Sequence, residues 1–293
     1  MPRIVRDGPP GVKRGPNYRQ DGRGSGETAC ASIAAVRSRH PVLPVALVCL
    51  LAAAPPETTQ PSDDIAAFLV AMVETQSIQL PTYTARRAVD AIRVDGTLDE
   101  ASWARATRIR EFRHIYDPAR PSKFPTEAAI VWDDANLYVA FDSTDPDPWG
   151  TMKNRDDRLW DEEVVEIFLD PDGDGLNYAE LEVSPNNVVV DLLIPRPKAD
   201  VEAALRWNID GLQTAVGRRP GGWIAEIAIP WKSLAAAGAT AAPAPGDQWR
   251  AGIYRIKRPR GVKGADEFLA WSLTRGERGF HDPERFGYLQ FQR

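Results

Sequence analysis

From residue 91 onward, apolar residues recur at about every second position, and turn-forming residues interrupt them at short intervals. Residues 126–132, rich in β-branched and aromatic side chains, run into Asp133, Asp134, Ala135 and Asn136, after which residues 137–141 resume the alternation. Two such runs joined by a short Asp/Asn turn predict a hairpin. Residues 164–169 and 178–183 flank the turn 170–175 and predict a second hairpin, with a further strand over 188–194. Residues 222–229 alternate until Pro230 stops them, and runs at 249–256, 269–273 and 286–291 complete the series. Helical periodicity is confined to short stretches at 100–105 and 231–237. Many short strands separated by regular turns imply an all-β fold, an antiparallel β-sandwich or barrel.

Composition agrees with this pattern. The 25 prolines and 22 glycines suit a fold with many turns, and 43% hydrophobic with 26% charged residues is ordinary for a globular domain. A net charge of −5 without a basic stripe argues against nucleic acid as a partner. Both cysteines, Cys30 and Cys49, precede the strand-rich part, so its stability must come from core burial and metal ions instead of disulfides.

The front of the chain reads differently. Residues 1–35 are rich in Gly, Arg and Pro and predict disorder or a misassigned start. Residues 36–54 join a short basic segment to an apolar run ending in small residues, the pattern of a secretory signal. That run is shorter than the about 20 apolar residues a membrane span needs, so no span is expected after cleavage. Residues 55–85 read as a linker holding a short helix at 63–74, leaving the sandwich at 86–293. The expectation is an exported, periplasmic or extracellular protein that is monomeric.

Four ordered segments carry a resemblance. They are residues 94–103 (Val94 to Trp103), 131–139 with the following Asp145, Pro146 and Asp147, 159–170 around Trp160, and 280–289 from Phe280. Together these resemble the family 9 carbohydrate-binding modules, whose β-sandwich belongs to a wider DOMON-like, jelly-roll-type group. The resemblance implies non-catalytic binding of a polysaccharide end or an oligosaccharide, and no enzyme activity. In sugar-binding members the third and fourth segments each supply a ring that clamps the sugar, and the matching positions here are Trp160 and Phe280. A pyranose has an apolar C–H face, which an adjacent indole or phenyl ring removes from water. Glu166 matches an acidic residue that bonds the sugar hydroxyls. Two departures stand out: the second ring is Phe instead of Trp, and Glu182 aligns where sugar-binding members place an arginine. Arg155, Arg158, Arg278 and Arg285 are the cations near enough in sequence to replace it.

Trp132, Trp223 and Trp249 fall on strands and predict core positions, whereas Trp160 and Phe280 sit in polar loops and predict half-exposed rings. Asp161, Glu162, Glu163 and Glu166 contain pairs of acids of the kind glycosidases use, and the simpler reading is solvated or ligand-bonding carboxylates. The turn carrying Asp170, Asp172 and Asp174 begins like a calcium loop, but Leu181 occupies the position where an EF-hand requires Glu. The resemblance implies a structural Ca²⁺ as a candidate cofactor, at this turn or elsewhere in the domain. Haem, held by Met152 with His114 or His281, defines a competing electron-transfer reading, and an interaction module with a decayed sugar site defines another.

Overall fold

The computed structural model describes residues 79–293. The expected disordered start, signal-like segment and linker helix lie outside the described residues. The strands are β1 (Thr82–Arg87), β2 (Arg113–His114), β3 (Thr126–Trp132), β4 (Asn136–Thr144), β5 (Val164–Asp170) and β6 (Tyr178–Val183). They continue with β7 (Val189–Ile194), β8 (Gln213–Arg219), β9 (Gly222–Pro230), β10 (Gln248–Lys257), β11 (Glu267–Ala270) and β12 (Gly287–Gln292). The helical stretches are short: Ala101–Arg105, Val201–Ala204 and several 3₁₀ turns.

All twelve strands join one curled sheet in the order β7-β6-β5-β10-β12-β1-β3-β4-β9-β8, with β11 attached to β10 and β2 attached to β11. The alternation seen in the sequence sets which faces meet inside. Leu137, Val139 and Phe141 of β4, Val165, Ile167 and Leu169 of β5, and Ala225, Ile227 and Ile229 of β9 share one buried core. Trp132, Trp223 and Trp249 belong to that core, as their strand positions predict.

Residues of β5 are buried along its whole length, because both faces are covered. Its outward residues Val164 and Phe168 join Tyr178, Leu192, Tyr254, Phe280 and others in a second cluster. This second layer, outside the sandwich proper, is where the cavity described below forms.

Three features differ from the sequence reading. The linker expected to run to residue 85 ends earlier, because β1 begins at Thr82. β1 runs parallel to both β12 and β3, so the sheet is not wholly antiparallel. Its Tyr83 and Ala85 enter the core, and the Tyr83 hydroxyl donates to the Ile130 carbonyl at 3.1 Å. Finally, β8 is a half-exposed strand at the end of the sheet and β2 is two residues long, so neither shows an apolar alternation.

Candidate functional site

Trp160, Glu166 and Phe280 reach one cavity from three separate elements. Trp160 lies in the 3₁₀ turn Leu159–Asp161, which is held down by the fully buried Leu159. Its carbonyl accepts from Arg258 Nη2 at 2.9 Å, and the Arg158 guanidinium sits 5.2 Å from its ring centroid. The indole is half-buried and packs on the second cluster.

Phe280 corrects the expectation of a half-exposed ring: it is 7% exposed. One face stacks on Tyr254, with centroids 4.3 Å apart and planes 8° from parallel, and the Tyr254 hydroxyl donates to the Phe280 carbonyl at 3.3 Å. Phe268 meets it edge-on at 6.2 Å. The second wall of the cavity is thus a Tyr254–Phe280 stack fixed in the layer, which presents only part of the phenyl ring. The cavity between the walls measures about 260 Å³.

Its floor is acidic. Glu166 on β5 pairs in register with Glu182 on β6, and Glu180 lies two residues away on the same face, opposite Phe168. Successive strand residues alternate faces, so all three carboxylates point away from the sandwich core and into the cavity lining. They are 2%, 5% and 1% exposed for Glu166, Glu180 and Glu182 respectively. One oxygen of each comes within 4.8 Å of the others. Glu166 Oε1, Glu180 Oε2 and Glu182 Oε2 have no hydrogen-bond partner among the described residues.

The electrostatics follow from this burial. Loss of water raises the Glu166 carboxyl well above its ordinary range, the Glu180 charge raises it further, and Arg258 opposes both. Burial raises Glu182 in the same way, with the charges of Glu166 and Glu180 adding to it. Glu180 is also raised by burial, against the pull of His281, whose Nε2 lies 3.9 Å from Glu180 Oε2. The other ring nitrogen of His281 lies 2.9 Å from the Tyr178 hydroxyl.

Other sequence candidates sit elsewhere. Of the four arginines, Arg158 lines the cavity, while Arg155 is engaged by Asp191 at 2.5 Å and Arg278 lies 3.6 Å from Asp282. Arg285 lines a separate cleft of about 730 Å³ that opens beside Gln79, where the described residues begin. Arg258 and Glu180 were not singled out from the sequence. The period-two pattern of β6 already put Glu180 on the face of Glu182, whereas nothing local connects residue 258 with residue 160. Glu162 and Glu163 precede β5 and do not reach the cavity floor: Glu162 accepts from Thr151 N at 2.7 Å, and Glu163 pairs with Lys257 at 2.5 Å.

In the β5–β6 turn, Asp170, Asp172 and Asp174 each offer an oxygen within 4.8 Å of the others. Those oxygens are also acceptors for the turn itself, with Asp170 taking Gly173 N and Gly175 N at 3.1 Å each and Asp174 taking Leu176 N at 2.7 Å. Burial pushes the Asp170 carboxyl up to about 6. His114 is buried beside the Arg120 guanidinium at 3.0 Å, and Met152 packs on the second cluster without lining the cavity that His281 lines.

Comparison with known proteins places this geometry in a lineage. Exoglucanase XynX of Acetivibrio thermocellus is 28% identical over 107 residues, which is 36% of this chain and 9% of that protein. Endo-1,4-beta-xylanase A of Thermotoga neapolitana is 27% identical over 142 residues, 48% of this chain and 12% of that protein. The chain thus spans about a tenth of the length of these curated relatives. A family 9 carbohydrate-binding module from Caldicellulosiruptor kristjanssonii, solved with cellotriose, shares the fold at a TM-score of 0.54 and 16% identity, covering 72% of this chain and 94% of that one. A putative carbohydrate-binding protein from Bacteroides uniformis does so at 0.57 and 18% identity, covering 73% and 100%. The family model described as carbohydrate family 9 binding domain-like matches residues 94–293, and the chain belongs to that family.

Proposed function

We propose that residues 79–293 bind carbohydrate without transforming it, taking one end of a saccharide into the cavity between Trp160 and the Tyr254–Phe280 stack. The observation that supports this most directly is the convergence of Trp160, Phe280 and Glu166 on a single aromatic-walled cavity. At about 260 Å³ it is just below the ~300–1,000 Å³ of pockets for larger ligands, which suits a chain end of one sugar unit. The half-buried indole supplies an apolar platform, and the floor carboxylates supply strong acceptors for the hydroxyls at the ring edge.

The solved family relatives hold cellotriose in one case and glucose in another, and one curated relative is named for 1,4-beta-xylan cleavage. The proposed ligand is therefore the end of a β-1,4-linked glucan or xylan. Binding without catalysis is supported by the floor geometry. Its carboxylates share one face of the paired strands β5 and β6, on one side of the cavity, whereas glycosidases place their two carboxyls on either side of the scissile bond. Export is proposed from the signal-like segment 36–54, and a structural Ca²⁺ at Asp170, Asp172 and Asp174 from their spacing.

Calorimetric titration with glucose, cellotriose and xylotriose tests the reading, with tryptophan fluorescence as a second signal. Trp160→Ala should weaken binding by about tenfold or more, equivalent to about 1.4 kcal/mol. If the unaltered protein binds none of these sugars, or the alanine variant binds them equally well, the reading fails.

A further inference from the structure

The family resemblance leaves the acidic floor unexplained. Glu182 faces Glu166 across the β5–β6 pair, and Glu180 stands two residues away on the same face. Three carboxylates, all more than nine-tenths buried, are costly unless something compensates them, because removal from water disfavours the charged form and each charge disfavours the next. Each of the three keeps one oxygen with no partner among the described residues. The three residues themselves belong to the lining of the cavity described above.

The nearby cations fill this role only in part: the Arg258 charge favours ionised Glu166 and the His281 ring favours ionised Glu180. Arg258 places Nη1 2.6 Å from Asp266 and Nη2 on the Trp160 carbonyl. Arg158 lies over the Trp160 ring and 3.2 Å from Asp161. His281 approaches only Glu180, at 3.9 Å.

We infer that Glu166, Glu180 and Glu182 hold a calcium ion on the cavity floor, and that hydroxyls of the bound sugar complete its coordination from the open side. The donor set is all oxygen, the chemistry of a hard cation, and it contains neither thiolate nor a required imidazole. Calcium takes 6–8 oxygens at about 2.3–2.6 Å, of which three glutamates supply between three and six. The remaining positions face the cavity, where water or a vicinal diol fits. An ammonium group from an amino sugar would neutralise a single carboxylate, whereas a divalent ion neutralises two. The sugar half of this inference rests on the carbohydrate reading above; the ion half does not.

The experiment is a titration of the full chain, stripped with EDTA and dialysed, with CaCl₂ alone. It is repeated on Glu180→Gln, on Glu182→Gln, and on the double variant Asp172→Asn/Asp174→Asn at the separate β5–β6 turn. Terbium luminescence sensitised by the adjacent Trp160 gives an independent readout. We expect a calcium event that either glutamine variant weakens at least tenfold and the turn variant leaves in place. Sugar affinity should then drop at least tenfold in EDTA and recover on adding CaCl₂.

Absence of calcium binding overturns the inference, as does calcium binding that only the turn variant removes. Binding of glucosamine to the stripped protein in preference to glucose also overturns it, since an ammonium would then be the intended cation. Calcium bound at the glutamates with no sugar bound under any condition leaves the ion site standing and fails the carbohydrate reading alone. Sugar bound equally well in EDTA fails the calcium-mediated contact and leaves the carbohydrate reading intact.

Discussion

At the scale of single residues, Glu182 separates this chain's cavity from a plain aromatic sugar clamp. Its carboxyl is raised by burial and by the neighbouring Glu166 and Glu180 charges, so the folded state favours the protonated form. A carboxyl raised in this way contributes stability below its unfolded value of ~4.3 and loses that contribution as pH climbs through its folded value. In chelator, Glu182→Gln removes one buried charge and should melt above the unaltered protein, with the gap widening as pH rises from about 5 to 8. A gain of about 1 kcal/mol would raise the melting temperature by about 2–4 °C. Differencing the two proteins cancels the titrating groups outside the cluster, including Asp170, which burial also raises to about 6. An equal gap at both ends of that range would show that folding does not raise the Glu182 carboxyl. Glu166 was legible as a polar residue of the site because its segment resembles the family motif. Its burial was not, since a strand with both faces covered looks the same in sequence as one with a wet face.

At the scale of elements, the cavity is a product of β5, β6 and β10 presenting their outward faces together. The β5–β6 turn reverses through Gly173 (φ 72°), Gly175 (φ 78°) and Asn177 (φ 48°), left-handed positions that glycine and asparagine take at least cost. Gly252 on β10 has a different reason to be glycine: a Cβ there would lie 2.3 Å from the Tyr254 ring, which lies across it. Gly252→Ala should push Tyr254 aside and disturb the stack that supports Phe280, at about 1–3 kcal/mol in stability. Thermal melting and saccharide titration should therefore fall together. Loss of stability with unchanged saccharide affinity would mean that the stack is only packing. The hairpins β3–β4 and β5–β6 were readable from alternation and turn chemistry. β1 was not, because Tyr83 and Ala85 are the only apolar residues among its six, too short an alternation to mark a strand before both are seen in the core.

At the scale of the whole molecule, β10 links the site to a buried ion network. Asp145 accepts from Arg255 at 2.9 Å and from Lys257 at 2.8 Å, and Lys257 reaches Glu163 at 2.5 Å, with all four side chains almost fully buried. Burial pushes Glu163 up to about 7 while its hydrogen bond to Lys257 pulls the other way. Removing one partner of a buried ion network leaves charge uncompensated, at about 3–5 kcal/mol. Lys257→Met should therefore lower the melting temperature by on the order of 10 °C. An unchanged melting temperature would show that the network adds no net stability.

What the chain's order of residues determines alone is the strand pattern, the turns and the ordered motifs, because alternation and turn chemistry are local properties with a period of two. Trp132, Trp223 and Trp249 could be assigned to the core on that basis. Three-dimensional packing decided what lies between the strands: that Phe280 rests on Tyr254, that Arg258 is tied to the Trp160 turn, and that three glutamates share one dry floor. Burial and mutual charge are set by neighbours distant in sequence, 26 residues away for the Tyr254–Phe280 pair and 98 for Arg258 and Trp160. No local pattern encodes such distances, so only the closed sheet reveals them.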